Sequence, residues 1–81
     1  MTKTEIQADA VKDCRGVGCP MNLVYTKVAL AKLQSGQVLE IHLDEGAPIN
    51  NVPGAAVKEG HRIIEKKQLP DGAWAVLIEK G

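Results

Sequence analysis

Apolar positions follow two rhythms along the chain, and the change from one to the other marks its elements. Over residues 20–34, Leu23, Thr26, Leu30 and Leu33 fall three and four apart, on one face of a predicted helix. Pro20 suits the first helical position, where its missing N–H costs nothing. Ser35-Gly36 ends the stretch, with Gly36 as a left-handed cap. Residues 37–43 alternate instead: Leu39, Ile41 and Leu43 share one face, and Val38, Glu40 and His42 the other. That predicts a strand with one buried and one wetter side. Residues 8–14 read as a strand of modest quality closed by Arg15-Gly16, and Gly16 and Gly18 bracket Val17 in a tight loop. Residues 44–51 read as a loop, and Pro53 stands near the start of a short second helix that Gly60 closes. Residues 62–69 and 73–79 read as strands, joined by Pro70-Asp71-Gly72 with its hairpin-turn chemistry. The order β-α-β-α-β-β predicts an α/β (α+β) two-layer sandwich, a four-stranded sheet with both helices on one face.

The first helix has a second, partly apolar stripe, Met21, Val24, Val28 and Ala31. A helix packed only on a sheet does not need it. The expected reading is contact with a neighbouring helix, and the rival reading is a docking surface.

Composition narrows the function more than the fold. The 81 residues are 44% apolar and 25% charged, an ordinary globular balance. No run approaches the roughly 20 apolar residues of a membrane span, and residues 1–13 lack the apolar core of a signal peptide. The expectation is a cytoplasmic protein with no membrane partner. Ten basic and ten acidic residues cancel, leaving no basic footprint for nucleic acid. Lys66-Lys67 reads as a solvated strand end, and Tyr25 and Trp74 alone do not make a base-stacking platform. Two cysteines so close together, Cys14 and Cys19, read in a cytosolic protein as reactive or structural thiols rather than a permanent disulfide.

Cys19 is the candidate for chemistry because it directly precedes the predicted helix. First-turn N–H groups lack intrahelical partners and, with the helix dipole, favour negative charge. A thiolate there has a pKa below the free value of about 8.5, and the thiolate is the nucleophile of sulfur exchange. On spacing alone, a buried structural cysteine is about as good a reading.

The run Arg15-Gly16-Val17-Gly18-Cys19-Pro20-Met21 closely resembles the Arg-Gly-x-x-Cys-Pro-x-Pro signature of the TusA, or SirA-like, family of sulfur-transfer proteins. Thr26-Lys27, Ala29-Leu30, Asp44-Glu45, Asn51-Val52-Pro53 and Gly60-His61 stand in family-like places, so the resemblance spans about residues 13–80. It implies the same β-α-β-α-β-β sandwich, over residues 8–81 after a flexible start at 1–7. It also implies that Cys19 accepts a sulfane sulfur as a persulfide and passes it on, in the manner of a sulfurtransferase. The supporting motif is then Arg15, Gly16, Pro20 and Asn22. Donors of such carriers are cysteine desulfurases or rhodaneses, and the acceptor is another protein. The pathways served include tRNA thiolation, molybdenum-cofactor maturation and dissimilatory sulfur metabolism. Asn22 departs from the family's second proline and leaves an extra N–H near the sulfur, which hints at a specialised pathway rather than general tRNA thiolation.

Other residues have two readings each. Cys14 is a small core side chain or a second, resolving thiol for Cys19. Arg15 makes a loop hydrogen bond or stabilises the Cys19 anion. Asp44 and Glu45 are solvated loop charge or a recognition site, and Lys27 is solvated or faces a partner. His42 and His61 lack the short pairs of zinc sites, so no metal and no cofactor is expected. Neither is placed as an evident base for Cys19, which argues against a self-contained cysteine hydrolase. The alternatives to a carrier are a dithiol redox protein using Cys14 and Cys19, and a non-catalytic RNA or protein interaction module, the latter by fold analogy alone.

Overall fold

In the computed structural model, residues 8–18 and 20–81 are described. The elements are β1 (Ala10–Asp13), α1 (Met21–Ala31), β2 (Val38–Leu43), α2 (Ala47–Lys58), β3 (Arg62–Gln68) and β4 (Trp74–Glu79). The strands form one mixed sheet in the order β1-β2-β4-β3. β1 and β2 run parallel, with α1 as their crossover, and the β2–β4 and β3–β4 pairs are antiparallel.

Register assigns the faces. Leu39 pairs with Ile78, Ile41 with Val76 and Leu43 with Trp74, so these side chains share the side of the sheet that the helices cover. All but Trp74 are fully buried, and they form one cluster with Leu30 of α1 and Val52 and Ala56 of α2. On the other side, which no described helix covers, Glu40 pairs with Leu77 and His42 with Ala75. There Nε2 of His42 lies 2.6 Å from Glu40 Oε2. The two-layer sandwich and its β-α-β-α-β-β order stand as expected.

Several boundaries differ from the pattern. β1 is shorter than residues 8–14. α1 ends at Ala31 rather than near Gln34: the chain then turns, with Leu33 N–H on Leu30 O and Gln37 N–H on Gln34 O. Gly36 does take a positive φ of 90°, but in that second turn and not as the helix cap. Residues 44–51 are not all loop. α2 already begins at Ala47, after Gly46 (φ 99°), with Pro48 in the first turn and Pro53 inside the helix. Proline is equally suited to a helix start, and the sequence holds two. Pro48 is the one that serves; Pro53 forgoes one helix bond, and its ring is buried beside Val52.

The apolar stripe on α1 is the largest correction. α1 meets α2 through Leu23, Thr26, Lys27 and Leu30, which line a crevice with Val52, Ala55 and Ala56. Met21, Val24 and Val28 do not line that crevice, and each is more than two-fifths exposed.

Candidate functional site

The site lies where β1 hands over to α1. Cys14 follows the last residue of β1, and its N–H donates to the His42 carbonyl at 2.9 Å, which extends the β1–β2 pairing by one step. The chain then reverses in a turn closed by Val17 N–H on Cys14 O at 3.1 Å. Gly16 sits third in that turn with φ 79°, the position where such a turn demands a positive φ and therefore glycine. Its N–H donates to Asp44 Oδ2 at 2.8 Å, so the loop after β2 holds the turn from below.

Cys19 lies outside the described residues, as do residues 1–7. Asn22 N–H donates to Gly18 O, four residues back, at 3.1 Å. Leu23 and Val24 N–H both donate to Pro20 O at 3.1 Å. The extra N–H expected at Asn22 is therefore engaged by Gly18 and is not a free donor. Of the described first-turn amides, Met21 is left without a described acceptor.

Asn22 also brings an unusual side chain. It is fully buried, and neither its amide nitrogen nor its amide oxygen has a hydrogen-bond partner among the described residues. Unpaired buried amides are costly. Its own carbonyl accepts from Thr26 Oγ1 at 2.8 Å, a back-bond one turn along the helix.

Arg15 is fixed by two carboxylates. Its Nε and Nη2 donate to the two oxygens of Asp13 at 3.0 and 2.9 Å, and Nη1 donates to Asp71 Oδ2 at 2.7 Å. The guanidinium thereby ties the loop after β1 to the β3–β4 hairpin turn, where Ala73 N–H donates to Asp71 Oδ1. Its charge is already answered by these two partners. Its hydrogen bonds with Arg15 hold the Asp13 carboxyl far below the ordinary carboxylate range. Asp71 is lowered too, by the Ala73 N–H first and Arg15 second.

Asp44 and Glu45 are structural as well as charged. Besides Asp44 on Gly16, Glu45 Oε1 accepts from Trp74 Nε1 at 2.5 Å and from Gln68. With Asp13 and Asp71 they place four carboxylates against one guanidinium around an open depression of about 670 Å³. The sequence reading missed Asp13 and Asp71. Asp13, two residues from Arg15, is a local signal it could have used; Asp71 is 56 residues away and gave none.

Cys14 is the one described thiol. It is free and fully buried in the core cluster, and burial pushes its thiol pKa up. His61 is occupied elsewhere, its Nδ1 accepting from Gly81 N–H at 3.0 Å.

The Arg15 clamp has a pH signature. Asp13 and Asp71 have depressed pKa values in the folded state. The stability they contribute is fully present above their unfolded values, about 4, and is lost as pH falls through the folded ones. Urea midpoints of wild type and Arg15→Met are expected to differ most near neutral pH and to converge as pH drops below about 4. A gap that widens on acidification would contradict this.

Comparison with known proteins bears on what this site does. Residues 10–80 match the family model described as Sulfurtransferase TusA. A protein of Archaeoglobus fulgidus named for a proposed sulfur-carrier role is 32% identical over 94% of this chain and 86% of its own length. The similarly named TsuB of Escherichia coli is 37% identical over 76% of this chain and 83% of its own. The crystal structure of a SirA-like protein from Desulfitobacterium hafniense superposes with a TM-score of 0.78 at 27% identity, covering 89% of this chain and 97% of that one.

Proposed function

The chain belongs to the TusA family and is a sulfur carrier, and from that premise we propose that Cys19 bears the sulfur as a persulfide and relays it between proteins. What supports this most is the turn closed by Asn22 N–H on Gly18 O, with residue 19 between them in sequence and α1 beginning at Met21. The positive end of an 11-residue helix favours a thiolate over a thiol, and the Met21 N–H is a candidate donor to it. Among the described residues, nothing outside their chain neighbours lies within 4 Å of where Gly16 and Gly18 would carry a Cβ, which leaves room for a partner to approach the loop.

In the loading step, the Cys19 thiolate attacks the outer sulfur of a donor persulfide. A new sulfur–sulfur bond forms, the donor's breaks, and the donor leaves as a thiolate; the proton stays on the transferred sulfur and no external oxidant is needed. In delivery, an acceptor thiolate attacks that sulfur and Cys19 leaves. The same low pKa that keeps Cys19 ionised makes it a good leaving group. Arg15, Gly16, Pro20 and Asn22 act here by shaping the loop: Gly16 through its turn, Pro20 through the two amides on its carbonyl, Asn22 through Gly18, and Arg15 through its two aspartates. The donor is of the cysteine desulfurase or rhodanese type.

A redox pairing of Cys14 with Cys19 is the weaker reading. A buried thiol with a raised pKa is a poor resolving nucleophile.

Relay is tested with radiolabelled sulfane sulfur. Because persulfide exchange runs in both directions, wild type loaded from a labelled persulfide and freed of donor is expected to pass the label back to a reduced rhodanese, as is Cys14→Ser. Label that moves equally well from Cys19→Ser would overturn the assignment.

A further inference from the structure

α1 is apolar on two sides, and the core uses only one. Asn22, Thr26 and Leu30 are buried. On the outer side Met21, Val24, Tyr25 and Val28 stand at i, i+3, i+4 and i+7, each 37–49% exposed. Singly exposed apolar side chains are ordinary; a continuous helical stripe of four marks an interaction surface. This stripe runs about 10 Å along the axis and begins two residues after position 19.

Charge says what would cover it. α1 contains no acidic residue. Lys27 of α1 and Lys32 at its C-cap flank the stripe, and the Lys12 ammonium of β1 lies 4.8 Å from the centre of the Tyr25 ring. Lys27 is partly answered by Glu59 at 3.6 Å, and among the described residues Lys12 and Lys32 have no carboxylate partner. A second copy is a poor occupant, because a two-fold contact sets each patch against itself and would oppose lysine to lysine. A lipid surface is a poor one as well: the face holds neither Trp nor Phe, and its apolar stripe is only about two turns long, unlike helices that lie in membranes.

We propose that the outer face of α1 docks protein partners of the relay, each presenting an apolar patch rimmed by carboxylates. The proposal rests on the carrier reading of Cys19 and adds the surface that brings a partner's sulfur to it. A patch this short fits a transient interface, and a relay needs its partners to let go. Cationic steering raises the encounter rate and falls with salt.

The test compares two donors for loading Cys19: a cysteine desulfurase charged with L-cysteine, and glutathione persulfide. The variants are Val24→Glu/Val28→Glu and Lys27→Glu/Lys32→Glu, all at exposed positions. The expected result is at least a tenfold loss of loading from the desulfurase, in kcat/KM, with glutathione persulfide loading unchanged. Added salt should slow only the protein donor. Unchanged loading of both variants by the desulfurase overturns the docking face and leaves the carrier reading intact. Wild type that takes sulfur from neither donor overturns the carrier reading itself. Wild type that dimerises through Val24 and Val28, or binds phosphatidylglycerol vesicles through them, overturns the proposed occupant in favour of a second copy or a membrane.

Discussion

Replacing Ile41 by alanine is expected to lower the unfolding free energy by about 2–5 kcal/mol. Ile41 is fully buried at the centre of β2, which is itself flanked by β1 and β4. It packs in the single cluster that joins the sheet to both helices. The cavity cannot close easily, because the strand is paired on both sides and neither neighbour can move in alone. A chain of this length has about 4–12 kcal/mol of stability in total, so one substitution removes a large fraction of it. Thermal midpoints should drop by about 4–8 °C for each kcal/mol lost. Val11→Ala is the control. Val11 is 62% exposed on the neighbouring strand, and its change should stay within about 0.5 kcal/mol. Urea unfolding of the two variants checks both values; equal effects would mean that the helices do not cover the face of β2 that carries Ile41.

That face was legible because it follows a simple rule. Leu39, Ile41 and Leu43 alternate with Glu40 and His42, and a strand buried on one side must alternate. Their partners Val76 and Ile78 follow the same rule in β4. The second helix was harder. Two prolines compete for its start, and nothing local says that Pro53 can sit inside it with its ring in the core. The end of α1 was misread for a similar reason: Gly36 has the expected left-handed backbone, but the turn that uses it is stapled by Gly36 N–H to Lys80 O at the far end of the chain.

In the site, the glycine turn before position 19 and the helix after it were legible from the local residues. The partners were not. Arg15 reads equally well as an anion's companion or as a loop residue until Asp71 arrives beside it from the β3–β4 turn. The Asn22 N–H looked like an extra donor until Gly18 O closed on it. The outer stripe of α1 was visible as a pattern, yet a pattern does not say whether a second helix covers it. Only the packing of α2 against Leu23, Thr26 and Leu30 decides that.

The largest functional effect is expected at Cys19. Sulfur exchange requires a thiolate, and serine in its place offers neither the nucleophile nor the sulfur that forms the persulfide. Loading in Cys19→Ser should therefore be lost entirely and not merely slowed. Cys14→Ser should load normally, because Cys14 is buried and free with its thiol pKa raised by burial. The direct measurement is intact-mass spectrometry, without reductant, of wild type and both variants after incubation with a sulfane-sulfur donor. The account predicts a gain of one sulfur atom in wild type and Cys14→Ser, reversed by reductant and absent in Cys19→Ser. Wild type that instead loses two hydrogens, in a change that needs both cysteines, would contradict it and make the protein a dithiol redox carrier.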